Sequence, residues 1–439
     1  MLDDSKLKLI VSLGSGASAQ TFKARVLDKH LANKWDKIVA VKIPLDDDEE
    51  KQELLINDVV NMSRIQGVLS CLPPEETKHL VRFFGCEKYQ GSYVMISEFI
   101  DGSDLYRKIG PPGSTRAFSM KESIDCTIQV CQTLGVLHRS GIFHRDLKPS
   151  NILTIEGDNG IEVWLADFGL STILDHGKQD VSNSRWGALA YMPPELMIDP
   201  HIPINPACDL YSLGLVFYEL CCGKLPYDRL DSIGVVEEAT DFEKPFHHPH
   251  EISLQVPDCV CSVIVKAVEK RQNQRYQTAT EMLKDLLEIK EMVEKINAAQ
   301  APPPPEVMDE IKEVLADMGT ESPSTINPEV VSDVEKRLAR LTKKYPEQPE
   351  VFVQLGLFYR KWRSDSIRAQ EVYERGLENV PLSSILLYHL GQTLWSRPNS
   401  SIEVRKEAVM YLKKALQNGL QDKDKIRKAE RLVRTGAGE

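Results

Sequence analysis

The sequence predicts an α+β fold of two lobes, the first β-rich and the second mainly helical, followed by an all-α module. Three observations carry this. Residues 5 to about 110 alternate strand-like runs with turns. From about 115 to 295 the periodicity becomes mainly helical. Four prolines, Pro302 to Pro305, then interrupt the chain, and the segments beyond them read as helices.

In the first lobe, KLIVSLGSGASAQTFKARVL reads as strand, glycine-rich turn and strand, and KIVAVKIP as a third strand. QELLINDVVNMSRI has Leu55, Val59 and Met62 at helical spacing, and HLVRFFGCEK and SYVMISEFI are two further strands. In the second lobe, KESIDCTIQVCQTLGVLHRSG, PACDLYSLGLVFYELCCG and TATEMLKDLLEIKEMVEKI carry the helical period. The boundaries expected are 5–295 for the two lobes, 296–306 for a proline-rich linker and 307–439 for the helical region. Consecutive prolines favour an extended polyproline helix, so the linker reads as a semi-rigid spacer. A docking segment for a proline-reading domain is the alternative.

The helical region shows a period. Pro346 and Pro381 are 35 positions apart, as are Gly356 and Gly391. Leu355, Gly356 and Tyr359, followed by Ala369, Tyr373 and Pro381, fit a helix–turn–helix repeat of about 34 residues. One residue is in excess before Ala369 and several near SRPNS. The run resembles a degenerate tetratricopeptide array of two to three helix pairs, which implies a surface for a peptide or protein partner. A plain helical bundle is the other reading.

Composition narrows the function. With 54 basic and 65 acidic residues the net charge is −11 over 439 residues, which argues against nucleic acid as the main partner. Nine cysteines form no Cys-x-x-Cys, so they read as reduced, buried thiols and point to a reducing, cytoplasmic compartment. The start MLDDSKLKLI places acids where a secretory signal needs positive charge. LYSLGLVFYELCC is short and interrupted by Glu219, so it reads as a core helix and not a membrane segment.

Several residues suggest chemistry. Gly14 and Gly16, between two strands, let backbone N–H groups approach a phosphate. Lys42 in VAVKIP is costly to bury without an anionic partner, although a lysine at a strand end is also compatible with the surface. At about 100° per residue, Asp58 falls inside the stripe of Leu55, Val59, Met62 and Ile65, and Glu53 falls outside it. An acid on an apolar face needs a cation, and Lys42 supplies one. In HRDLKPSN, Asp146 can accept the proton of a hydroxyl, Lys148 can steady a phosphate and Asn151 can ligate a metal. Asp167, in LADFGLS after an apolar strand, can hold the metal that bridges phosphates.

The motifs HRDLKPSN, DFG, YMPPE, CDLYSLG and NQRY, in this order and spacing, resemble the eukaryotic-type serine/threonine protein kinases over roughly residues 5 to 295. The resemblance implies the bilobal kinase fold and transfer of the γ-phosphate of ATP, with Mg²⁺ or in its place Mn²⁺, to Ser/Thr hydroxyls of proteins. It implies that Leu13, Gly14, Ser15 and Gly16 cover ATP, and that Ala40, Leu153 and the hinge Glu98–Phe99–Ile100 surround adenine. Lys42 would contact the α- and β-phosphates and pair with Asp58, and Asp104 would meet the ribose. Asp146 would be the base, Lys148 the phosphate support, and Asn151 and Asp167 the metal ligands. Ser97 would be the gatekeeper. Met62, His144 and Phe168, next to Gly169, would join a hydrophobic spine. Glu195 would pair with Arg275, and Asp209 would tether the catalytic-loop backbone. Lys148 favours Ser/Thr over tyrosine as acceptor.

Four positions depart from the family pattern. Ala19 stands for a glycine, Thr21 for a valine, Asp58 for a glutamate and Ala188 for a threonine. The metal ligands and the base remain, so activity is expected over the rival readings, a pseudokinase or a small-molecule phosphotransferase. Arg145, before the catalytic aspartate, implies autophosphorylation of the activation segment at Ser182 or Ser184, with Thr172 behind.

Overall fold

The structure, a computed structural model, describes residues 2–15, 19–45, 49–110, 118–158, 160–167, 172–173, 189–319 and 322–436, without the side chains of 49–54 and 172–173. The chain divides into two compact units, Met1–Pro249 with Cys261–Lys290, and His250–Val260 with Glu291–Glu439.

The first unit opens with an antiparallel sheet. Its strands are β1 (Leu7–Ser15), β2 (Ala19–Val26), β3 (Ile38–Pro44), β4 (Phe83–Tyr89) and β5 (Ser92–Glu98), in the order β1-β2-β3-β5-β4. Strand alternation decides what β3 presents. Val39 and Val41 are fully buried among Leu7, Ala24, Val94 and Ile96, so Ala40 and Lys42 lie on the opposite face. Between β2 and β3 runs a helix the sequence reading did not anticipate, α1 (Lys29–Lys34). Asp28 caps it, accepting from His30 N at 2.8 Å and Leu31 N at 2.9 Å, and the chain then buries Trp35 under the sheet.

Helix α2 (Glu49–Leu69) buries Leu55, Met62, Ile65 and Leu69 and exposes Ile56 and Val60. This is the face expected from periodicity, and Asp58 sits half-buried at its edge. Short helices α3 (Pro74–Thr77) and α4 (Leu105–Ile109) flank the sheet's end, and β6 (Ser103–Asp104) leads into α4.

The rest of the first unit is built on two long helices. α5 (Met120–Arg139) starts with a capping box between Ser119 and Glu122. The strands β7 (Ile142–Phe143), β8 (Ile152–Gly157), β9 (Gly160–Leu165) and β10 (Thr172–Ile173) follow, β8 pairing with β6 and β9, and β7 with β10. After α6 (Pro194–Ile198) comes α7 (Pro206–Cys222), capped by Asn205 and closed by Gly223 at φ 74°. α7 is buried on nearly every side, as its apolar composition requires. A Cβ on its Gly214 would stand 2.6 Å from Ala267. Helix α8 (Ser232–Thr240) follows, and after it in the chain come α9 (Pro249–Ile252), α10 (Asp258–Ala267) and α11 (Ala279–Ala298), each with residues in both units.

The proline stretch is shorter than expected. α11 continues to Ala298, and α12 (Pro305–Ala316) begins at Pro305, which is tolerated at a first helical position. Nor is the segment between them a free spacer. The Gln300 side chain donates to Leu382 O at 2.8 Å and accepts from Ser384 N at 2.9 Å and Ser384 Oγ at 2.5 Å.

The second unit continues with α13 (Pro328–Lys344), α14 (Pro349–Phe358), α15 (Ser366–Asn379), α16 (Ser384–Trp395), α17 (Ile402–Gln417) and α18 (Lys423–Gly436). The two glycines 35 positions apart mark close helix approaches. A Cβ on Gly356 would lie 2.2 Å from the Tyr373 ring, and one on Gly391 2.9 Å from Leu412. Their counterparts share a depth: Ala369 and Ala408 are both fully buried. The residue in excess before Ala369 coincides with a π-helical turn, Tyr359–Arg363, which ends at Ser364 with φ 53°. A π turn is how a helix absorbs one extra residue. The excess near SRPNS falls in the loop between α16 and α17.

All nine cysteines are unbridged. Burial pushes the Cys126, Cys131 and Cys208 thiols up to about 12. Among the described residues no helix is long and apolar enough to cross a membrane.

Gly356→Ala is expected to destabilise the chain by about 1–2 kcal/mol, since the methyl meets a fully buried ring and the clash exceeds the helix-propensity gain. Gly391→Ala should cost less. Calorimetry of the two full-length variants checks the order.

Candidate active site

The loop after β7 is shaped by a carboxylate from α7. Asp209 is 1% exposed and accepts from His144 N at 2.9 Å and Arg145 N at 2.8 Å. His138 of α5 adds Nε2 at 2.8 Å. Burial alone would raise the Asp209 pKa, but the His138 contact and the backbone donors outweigh it and hold it below the usual carboxylate range. The loop needs this support because Arg145 sits at φ 67°, a left-handed conformation costing roughly 1–2 kcal/mol for a residue with a Cβ.

So held, the loop gathers its polar groups around Asp146. Lys148 Nζ lies 2.6 Å from Asp146 Oδ2. Asn151 Nδ2 donates to Asp146 O at 2.8 Å and to Oδ2 at 3.1 Å. The amide nitrogen is thereby committed within the loop. The carbonyl oxygen of Asn151, with a long 3.5 Å contact from Ser150 Oγ, is the atom left for a cation.

From the sheet side, Lys42 Nζ stands 3.2 Å from Asp58 Oδ2 and 3.3 Å from Asp167 Oδ1. Burial disfavours this ammonium, but the charges of Asp167 and Asp58 outweigh it and hold its pKa above the ordinary value. In return the Lys42 charge draws the Asp167 carboxyl down to about 2, against the raising effect of burial. Asp167 is itself at φ 59°. The structure thus brings Lys42, Asp58 and Asp167 into one cluster, and Asp146, Lys148 and Asn151 into another.

The remaining expected residues are placed as follows. Ala40 pairs across the sheet with Ser97, and Val39 with Glu98. The Glu98 side chain binds Arg82, with Oε1 3.1 Å from Nη2. Ile100 O accepts from Gly102 N at 2.9 Å in the turn that follows. Asp104 pairs in register with Leu153 and caps α4, accepting from Arg107 N at 2.8 Å. Leu13, Gly14 and Ser15 end β1. His144 is fully buried and Met62 nearly so. Arg275, its side chain fully buried, meets Glu195 in a two-pronged pair at 2.8 and 2.7 Å and stacks over the Tyr211 ring at 4.4 Å. Burial lowers the Arg145 pKa. Gly16, Phe168, Gly169, Ser182, Ser184 and Ala188 lie outside the described residues, as does the side chain of Thr172, whose backbone is on β10.

Sequence reasoning missed His138 and Arg107. His138 lies in the last turn of α5 beside buried Leu137, a polar ring at the border of an apolar face. Arg107 lies three positions after the cap of a short helix, spacing that places its side chain back over Asp104.

The profile of the family described as protein kinase domain matches residues 7–323. A protein named probable serine/threonine-protein kinase from Clostridium acetobutylicum is 26% identical over 289 residues, 65% of this chain and 40% of the relative. One of the same description from Clostridium perfringens is 28% identical over 286 residues, 65% of this chain and 38% of the relative. A calcium/calmodulin-dependent protein kinase type 1 from Macrobrachium nipponense is 28% identical over 265 residues, 59% of this chain and 69% of the relative. The chain belongs to the protein kinase domain family. It spans about two fifths of the length of the first curated relatives it matches.

Glu195→Ala is expected to cost about 3–5 kcal/mol, because it strands the buried Arg275 charge; urea denaturation measures it. The lowered Asp167 pKa stabilises the folded chain fully at pH above about 4, and that contribution is lost as pH falls from about 4 to about 2. Acid unfolding of Asp167→Asn should therefore be less steep over this window than that of the parent.

Proposed function

We propose that the chain transfers the γ-phosphoryl group of ATP, as its magnesium complex, to serine and threonine hydroxyls of proteins. The observation that carries this is Asp146, with Lys148 2.6 Å away and Asn151 bonded to it, in a loop fixed by Asp209. The hydroxyl oxygen bonds to the γ-phosphorus, the bond to the β–γ bridging oxygen breaks, and ADP leaves with the electron pair. Asp146 orients the hydroxyl and takes its proton. Lys148 and Lys42 place positive charge where phosphoryl oxygens carry negative charge.

The donor set suits magnesium. Asp167 is an ionised carboxylate and Asn151 offers an amide oxygen, both hard ligands. These two residues would hold the ion, and manganese would fit the same oxygens. When bound, it neutralises phosphate charge. Leu13 to Gly16, Ala40, Leu153 and the hinge at Glu98–Ile100 are the proposed nucleotide contacts.

The activation segment is proposed to accept phosphate at Ser182 or Ser184, with Thr172 behind, and Arg145 to receive it. The kinase domain is proposed to span 5–295, although the family profile continues to residue 323. The helices of 307–439 are proposed to be a tetratricopeptide-like module for a peptide or protein partner. The glycine-mediated approaches at Gly356 and Gly391 support this reading. Nine unbridged thiols suit a reducing cytoplasm.

Asp146→Asn should lower phosphate transfer to a protein substrate at least about 100-fold while nucleotide binding persists. Radiolabel incorporation with Mg-ATP reads the first, and fluorescent-nucleotide titration the second. Mass spectrometry of the parent after the same incubation reads the phosphosites; no phosphate between 171 and 184 refutes autophosphorylation there.

A further inference from the structure

The residue expected to meet the ribose is already engaged. Both carboxylate oxygens of Asp104 are engaged by one residue: Oδ1 caps the helix, accepting from the Arg107 backbone N–H at 2.8 Å, and Oδ2 accepts from the Arg107 guanidinium Nε at 3.1 Å. The same guanidinium reaches across to the sheet, where Nη2 donates to Leu13 O. It rests on the loop backbone itself, since a Cβ on Gly14 would lie 3.6 Å from Nη2. Arg107 therefore joins two segments that sequence separates by 94 positions. One is the end of β1, where Gly14 follows an irregularity in the β1–β2 register. The other is the cap of α4.

We infer that Arg107 is a positioning residue that staples the end of β1, at Leu13 and Gly14, to the ribose-side acid and sets how fast nucleotide enters and leaves. This rests on the phosphotransfer reading above. The Nε contact to Asp104 and the Nη2 contact to Leu13 O form a fork across two segments proposed to face the nucleotide, so entry and exit each require the fork to open. The fork is breakable because the side chain is 59% exposed and screened by solvent. Arginine is suited to the task. Its planar head reaches one carboxylate oxygen with Nε and a carbonyl with Nη2 in a fixed geometry, whereas a lysine ammonium is a single point charge. Its contacts are with Asp104 and Leu13 and not with Asp146 or the proposed metal ligands, so its effect falls on nucleotide exchange and not on the phosphoryl step.

The test is stopped-flow exchange of a fluorescent ADP analogue, with magnesium, on the full chain. Arg107→Ala is expected to raise both association and dissociation rates about ten-fold, equivalent to about 1.4 kcal/mol of barrier, with the equilibrium constant held within about two-fold. Arg107→Lys, which keeps the charge but loses the fork, is expected between the two. Parental exchange rates in both variants, or slower dissociation, overturn the staple while leaving phosphotransfer intact. Failure of the parent chain to bind the analogue overturns the phosphotransfer reading, and the staple with it.

Discussion

One buried carboxylate carries the candidate active site. Asp209 gives up water to sit inside the helical lobe, a desolvation that is tolerable only if donors replace the lost hydration. Two backbone N–H groups and an imidazole do so. Because those N–H groups belong to consecutive residues, the carboxylate fixes a strained backbone turn and not merely a side chain. The core of α7 thereby dictates where the Asp146 backbone begins. The apolar packing of that helix and the geometry of the chemistry are one problem, solved at one residue.

The second cluster works on another principle. Lys42 lies between two acids, one from a helix and one from the segment after β9. Each carboxylate favours the ammonium, and the ammonium favours each carboxylate in its charged form. Lys42 is thus held toward its ammonium form and Asp167 toward its carboxylate form. The β3 alternation that buries Val39 and Val41 is what turns Lys42 toward these partners. A strand register therefore sets a charge state.

Legibility followed the range of the interactions. Asp146, Lys148 and Asn151 could be read because three polar groups within six positions of a loop must serve one another or a ligand, and the bonds among them are local. Asp58 could be read because helical periodicity put an acid on an apolar stripe. The sheet and the long helices were legible from alternation and period. What escaped joins distant segments. His138 reaches Asp209 over 71 positions, Arg107 reaches Leu13 over 94, and Gln300 reaches Leu382 over 82. No local pattern encodes such pairs. The helix ends beside the prolines were not legible for a different reason: proline cannot continue a helix, yet Pro305 stands where one can begin. Helix α1 was missed because six residues leave too short a period to see, though its Asp28 cap was present.

The shortness of Asp58 has a mechanical consequence. A glutamate, the residue its family carries there, has an extra rotatable bond, so it can keep hold of a lysine while its helix drifts. Aspartate lacks that slack. An outward drift of α2 by roughly one carbon–carbon bond, about 1.5 Å, stretches the present 3.2 Å contact beyond the reach of a salt bridge, with few rotamers to recover it. The coupling between helix and strand has little play in it. When α2 moves outward, Lys42 is left paired with Asp167 alone, and any slack in its link to the helix has to come from the lysine stem.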